Sequence, residues 1–180
     1  MAIVVFGTPC PLCGGSIEEG QEVVMFPPFI ENEIDPLWLF NDAVFHENCF
    51  CCHSLAAQAE ARYAEMKQKL QSGPKICAVC GDVISNPDDY FVIGYLTADR
   101  THPLYQYNYT QFHRSHLPRW LPLPLVYEQL RELQRLGVWK GRALEWWLSE
   151  VSKALIEQPK PVRFPDESAT ARAGVDGQKP

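Results

Sequence analysis

The sequence predicts an α+β fold: two small units in tandem, each gathered around cysteine and histidine, then a run of α-helices. Three observations carry this. Cysteines and histidines occur as pairs three residues apart: Cys10/Cys13, His46/Cys49, Cys77/Cys80 and His113/His116. The second two pairs repeat the first two at a fixed offset of 67 residues. Beyond about residue 122 the pattern changes to helical periodicity, with apolar residues three and four apart.

Length and composition allow this plan. The chain has 180 residues, of which 46% are hydrophobic, enough for one ordinary domain or two small ones. Apolar runs are too short to span a membrane. The opening MAIVVFGTPC lacks the basic start of a secretory signal, so a cytoplasmic protein is expected. In a reducing compartment the seven cysteines are better read as metal ligands or packed thiols than as disulfides. The net charge is −6 and unevenly spread. Residues 1–72 hold ten acids and three bases, whereas residues 73–158 hold nine of each. An acidic first half repels phosphate, which counts against nucleic acid as its partner.

The first unit, residues 1–72, begins with Cys10 and Cys13 followed by Gly14. Two cysteines three apart make a tight turn with both sulfurs inward, and glycine tolerates the left-handed backbone that closes it. EVVMF and LWLF read as strands of a hairpin. His46 and Cys49 suit the first turn of a helix, where positions three apart share a face. That helix is expected to run to about Gln71 and to end at SGPK.

The second unit, residues 73–121, repeats the scheme. Cys77, Cys80 and Gly81 stand for Cys10, Cys13 and Gly14, and Phe112, His113 and His116 for Phe45, His46 and Cys49. Ile84, Pro103, Leu104 and Asn108 match Ile17, Pro36, Leu37 and Asn41. Nine of the forty positions from 10 to 49 are identical to their counterparts. Unrelated pairing at average composition gives about two or three, so the chain contains two copies of one unit. YFVIGYL and LYQYNY read as the second hairpin.

Each copy offers four nitrogen and sulfur ligands with no obvious open position, the donor set of a closed tetrahedral zinc site. The expected sets are Cys10, Cys13, His46, Cys49 and Cys77, Cys80, His113, His116, for two structural zinc ions. The order knuckle, β-hairpin, ligand-bearing helix resembles the treble-clef zinc finger, over residues 10–71 and 77–116. The resemblance implies zinc-stabilised scaffolds and no single function, because treble clefs bind nucleic acid, bind proteins or frame nucleases. A likeness to LIM domains at His46, Cys49 and Cys52 ends there, since no second spaced ligand set follows.

Cys51, Cys52 and His53 are left over: their counterparts are Pro118, Arg119 and Trp120. Core packing is the plain expectation for such thiols. Cys52 is expected to open an apolar stripe through Leu55, Ala56, Ala59, Tyr63, Met66 and Leu70.

Residues 122–158 are expected to be helical and to pack on the zinc units. Pro118 can sit in the first turn of a helix, where its missing N–H is harmless, but Pro122 and Pro124 break the chain after it, and a new helix is expected from about Leu125 to Leu136, stopped by Gly137. KGRALEWWLSEVSKALIEQ presents Leu144, Trp147, Leu148, Val151 and Leu155 on one face. Trp146 falls beside that face and Trp139 precedes the helix, either as core cover or as a partner anchor. Residues 159–180, with four prolines and no periodicity, read as a disordered tail.

Three functions are compatible with these features to different degrees. The favoured one is a non-enzymatic interaction module for a protein partner, in a narrower version an immunity or antitoxin-like protein whose acidic face blocks a basic cleft. The second is a zinc-dependent nucleic-acid-binding regulator using Arg114, Arg119, Arg131, Arg135, Lys140 and Arg142. The third is an HNH-type metal-dependent nuclease, for which Asp99 and His102 in the second hairpin and His53 after the first site are the nearest candidates. The ligand sets look complete, and the counterpart of His102 is Asp35, so no open catalytic metal is indicated. No catalytic residue, organic cofactor, small-molecule substrate or membrane partner is expected.

Overall fold

Two separate antiparallel hairpins, not one continuous sheet, organise the chain. The structure is a computed structural model that describes residues 5–157; the expected tail lies outside them. In the first hairpin β1 (Val23–Phe26) pairs with β2 (Ala43–His46), Val23 opposite His46. In the second, β3 (Tyr90–Val92) pairs with β4 (Gln111–His113), Tyr90 opposite His113. Four α-helices complete the order: α1 (Glu47–Cys51), α2 (Ala56–Leu70), α3 (Leu123–Arg135) and α4 (Arg142–Glu157). The architecture is the expected α+β one.

Two of the four expected strands are placed elsewhere. LWLF belongs to a 3-10 helix, Pro36–Phe40, and the centre of LYQYNY forms another, Tyr105–Tyr107. The returning strands are instead the short runs that end on His46 and His113. Capping explains the first displacement. The Asp35 carboxylate accepts a hydrogen bond from the Leu37 N–H at 2.8 Å, and Pro36 takes the first helical position, where a missing N–H is harmless. At the corresponding place His102 Nδ1 accepts from the Leu104 N–H at 3.1 Å. An aspartate and a histidine thus perform the same turn-starting task.

Other local geometry also recurs at the same offset. Asn41 Oδ1 accepts from the N–H groups of Phe29 and Ile30 at 2.7 and 3.0 Å. Asn108 Oδ1 accepts from Leu96 and Thr97 at 2.8 and 3.2 Å. Immediately after each asparagine the backbone enters the left-handed region, at Asp42 (φ 50°) and Tyr109 (φ 61°). Gly14 and Gly81 do so in the two knuckles, at φ 74° and 79°. Glycine meets no steric penalty there, which is why each knuckle ends on it.

The helix after Cys49 is not continuous. α1 ends at Cys51, and α2 starts only at Ala56. Between them His53 Nδ1 accepts from the Leu55 N–H at 3.2 Å, and the His53 carbonyl accepts from the Ala56 N–H at 3.0 Å. This local bonding substitutes for a helical turn. The break rotates Cys52 away from the stripe it was expected to open: Cys51 and Cys52 are both exposed. From Ala56 onward the stripe holds, with Ala56, Ala59 and Met66 buried.

Two hydrophobic clusters result. The first gathers Ile17, Phe26, Phe29, Phe40, Phe45 and Phe50 with the buried face of α2. Tyr95 and Tyr109, from the second half of the sequence, complete it. The second joins Phe91, Ile93 and Phe112 to Leu123, Val126 and Leu130 of α3 and to Leu144, Trp147 and Val151 of α4. Pro124 sits in the first turn of α3, and Gly137 (φ 65°) follows its end. Trp139 is buried edge-on against Trp147, with ring centroids 5.3 Å apart. Trp146 is 44% exposed, its inner face stacked on Phe91. A seam of hydrogen bonds ties the first half to the segment before α4: Glu33 N–H to the Lys140 carbonyl at 3.0 Å, Lys140 N–H to Asn32 Oδ1 at 3.1 Å, and Asn32 Nδ2–H to the Val138 carbonyl at 3.2 Å.

Candidate metal centres

Each knuckle and the strand end opposite it bring four ligand atoms together. One group is Cys10, Cys13, His46 and Cys49; the other is Cys77, Cys80, His113 and His116. Within each, the ligand atoms all lie within 4.8 Å of one another. The backbone causes this convergence. The Cys10 N–H donates the knuckle's closing bond to the Gly15 carbonyl at 2.8 Å, and the Gly14 N–H returns to the Cys10 carbonyl at 2.8 Å. His46 is the last residue of β2 and the residue from which α1 starts, so strand and helix together aim its ring and the Cys49 sulfur at the knuckle. In the second site Cys77 N–H meets the Asp82 carbonyl at 2.9 Å, and His113 leads from β4 into the 3-10 helix Arg114–Arg119 that carries His116.

The spacings suit one ion in each group. In the first, His46 Nδ1 lies 3.4 Å from Cys13 Sγ and 3.8 Å from Cys49 Sγ. In the second, Cys80 Sγ lies 3.5 Å from His113 Nδ1, and Cys77 Sγ lies 3.7 Å from His116 Nδ1. A tetrahedral ion with bonds of about 2.3 Å to sulfur and about 2.0–2.1 Å to nitrogen separates neighbouring ligands by about 3.5–3.8 Å. The donor sets, three thiols with one imidazole and two with two, are therefore arranged to hold one metal ion apiece.

The imidazole of His46 is oriented from behind. Its Nε2 lies 3.1 Å from both the Ser16 carbonyl and Gln21 Oε1. Gln21 Oε1 also accepts from the Glu18 N–H at 2.7 Å, which identifies it as the oxygen of that amide. Both neighbours are acceptors, so Nε2 carries the proton and Nδ1 presents its lone pair to the thiols. Ser16 and Gln21 were not legible as parts of the site, because the second copy has Val83 and Asp88 in their places.

Cys10 and Cys77 are lowered, whereas Cys49 and Cys80 are raised. Burial alone raises the Cys10 thiol, but backbone N–H groups including those of Leu12, His46 and Cys13 outweigh it and bring its pKa down to about 7. Cys77 behaves alike: burial raises it, and the N–H groups of Cys80, His113 and Val79 bring it down to about 6. Cys49 is pushed up to about 11, first by its hydrogen bond with Cys13 and then by desolvation and the charge of the neighbouring sulfurs. Crowded sulfurs resist a second and third ionisation unless a cation lies among them, and a dication supplies that charge.

Cys51, Cys52 and His53 join neither group among the described residues. His53 instead packs edge-on against Phe40, with centroids 5.2 Å apart. Asp99 Oδ1 accepts from the Thr101 N–H at 2.8 Å, His102 Nδ1 from the Leu104 N–H and His53 Nδ1 from the Leu55 N–H, so the three nuclease candidates are engaged in turns. No helix among the described residues is long and apolar enough to cross a membrane. Comparison with protein-family models, curated proteins and solved structures finds no match.

Proposed function

We propose that this chain is a non-enzymatic, zinc-stabilised interaction module built from two treble-clef-like copies, and that its partner is a protein. The observation that carries the zinc assignment is the pair of four-ligand groups with tetrahedral spacing and nitrogen and sulfur donors only. Such a donor set favours zinc, and four protein ligands leave no position for substrate. Bound zinc would hold the knuckle, hairpin and following helix of each copy in register, a structural task.

Surface chemistry supports a protein partner. The first half carries the charge imbalance, and three thiolates around one dication add a further net negative charge there. The same half exposes Ile34, Trp38 and Leu39 beside Glu33 and Asp35. Apolar anchors within an acidic rim suit a basic protein surface. The cations that favoured a nucleic-acid regulator are partly engaged: Arg114 pairs with Glu150 at 2.7 Å and Arg135 with Glu132 at 2.6 Å.

Elemental analysis should find about two zinc equivalents per chain, one for each closed site. One equivalent, or a different metal, would remove the scheme. Copurification with a tagged chain then tests the partner. Salt-sensitive binding of duplex DNA or RNA by the isolated protein, abolished by Arg114 and Arg119 substitutions, would replace the protein partner with nucleic acid.

A further inference from the structure

Glu31 is an acid in an unusual place. It belongs to the first half, yet its carboxyl occupies the space where Gly94 of the second half lacks a side chain. A Cβ at Gly94 would overlap that carboxyl and would lie 3.1 Å from Cζ2 of Trp147 on α4. The Glu31 carbonyl in turn faces Gly141, where a Cβ would stand 3.0 Å from it. One residue therefore touches all three parts of the chain. Its Oε2 is buried without a hydrogen-bond partner.

The groups around it do not supply a firm counter-charge. From α2, the Arg62 guanidinium lies 3.6 Å over the Tyr95 ring and is bound to Glu65 at 2.7 Å. Arg62 Nε and the hydroxyls of Tyr95 and Tyr109 are likewise buried without partners. From α4 the facing group is the uncharged Trp147, and near Gly141 the neighbouring acid is Glu33. Burying an ionised carboxylate among these groups is costly, whereas the protonated acid carries no charge and can donate a hydrogen bond.

We propose that Glu31 is a protonation latch: as a neutral acid it locks the two metal-centred units and α4 together, and its ionisation loosens their seam. Desolvation raises its pKa to about 7 against the ordinary 4.5, with the N–H groups of Tyr95 and Glu31 and the charge of Arg62 opposing only part of that rise. An opened seam would hydrate the carboxyl and return it toward its ordinary value. The closed form thus binds the extra proton. Its advantage is full below the ordinary pKa and is lost as pH rises through about 7. The window coincides with neutral pH, so modest pH changes would alter how firmly the two halves are held.

The test uses the full-length, zinc-loaded chain. The carboxyl of Glu31 is titrated directly by carbon-detected NMR. Amide exchange of Glu33, Tyr109 and Lys140, whose N–H groups bond within or across the seam, is measured at pH 5 and pH 8 after correction for intrinsic rates. Opening should increase on the order of tens-fold between these values. Glu31→Gln should keep the seam protected at pH 8 and flatten that dependence, while changes common to both proteins, such as those at the zinc sites, cancel. A midpoint below about 5, the ordinary carboxylate range, or a Glu31→Gln seam that opens more than wild type at pH 8, overturns the latch. Should the variant fail to fold, the wild-type midpoint alone decides.

Discussion

Single side chains do two kinds of work here, and substitution separates them. Cys13 faces His46 Nδ1 at 3.4 Å within the first four-ligand group, whereas Cys51, two residues beyond Cys49, is exposed and outside it. Cys13→Ala should therefore unfold the first unit, because metal binding supplies much of the folding free energy of so small a scaffold. Cys51→Ser should leave stability within about 0.5 kcal/mol of wild type, as for surface positions generally. Thermal melts in zinc-containing buffer check both. Asn41 and Asn108 each pin a loop by accepting two backbone N–H groups on one oxygen. Asn41→Ala leaves two part-buried donors unpaired and should cost about 1–3 kcal/mol, and Asn108→Ala the same. Chemical denaturation of each variant measures it. Asn108→Asp keeps the acceptor but loses the Nδ2–H bond to the Thr97 carbonyl at 2.8 Å, so it should recover only part of the loss.

Adjacent positions on one helix differ in what they bury. In α4, Trp147 is buried against Trp139 and within the second core, while Trp146 lies one position round the helix, stacked on Phe91 but 44% exposed. Trp147→Ala should cost about 3–5 kcal/mol. Trp146→Ala should cost only about 1 kcal/mol, the scale of an aromatic stacking contact. If Trp146 is a partner anchor, its loss should weaken the complex far more than its effect on the melting temperature implies. Calorimetry of folding and of binding on the same variants distinguishes the two. The helices themselves show why periodicity was a good guide in one place and a poor one in another. α3 and α4 are long, amphipathic and close to their expected bounds. The helix after Cys49 is interrupted because His53 bonds to its own following backbone, and no apolar spacing reports such a bond.

For the molecule as a whole, the field of the first half governs encounters. Residues 1–72 hold ten acids against three bases, and Glu18, Glu19 and Glu22 lie in the segment between the first knuckle and β1. Reversing these three charges should slow association with a basic partner at low salt, with little effect on dissociation. The difference should shrink at about 0.5 M salt, where screening acts over only a few ångströms. Stopped-flow rates at two ionic strengths measure this; an unchanged rate at low salt removes steering from the account.

Both four-residue Cys/His groups, the α+β class and the two C-terminal helices were legible in the sequence alone. Pair spacing, a gapless offset and a sustained apolar stripe are local or periodic properties, and they survive in a linear reading. The sequence did not determine which segments return as strands, since LWLF has the composition of a strand and is turned into a 3-10 helix by the cap at Asp35 and the ring of Pro36. Nor did it show that Cys52 faces solvent, that Ser16 and Gln21 orient His46, or that Tyr95 and Tyr109 fill the core of the first half. Glu31 is the clearest case. In the sequence it is one acid among many in an acidic segment, and only the approach of Gly94, Trp147 and Gly141 encloses it. Desolvation depends on what the rest of the chain brings near, and proximity between residues far apart in sequence is decided by tertiary packing alone.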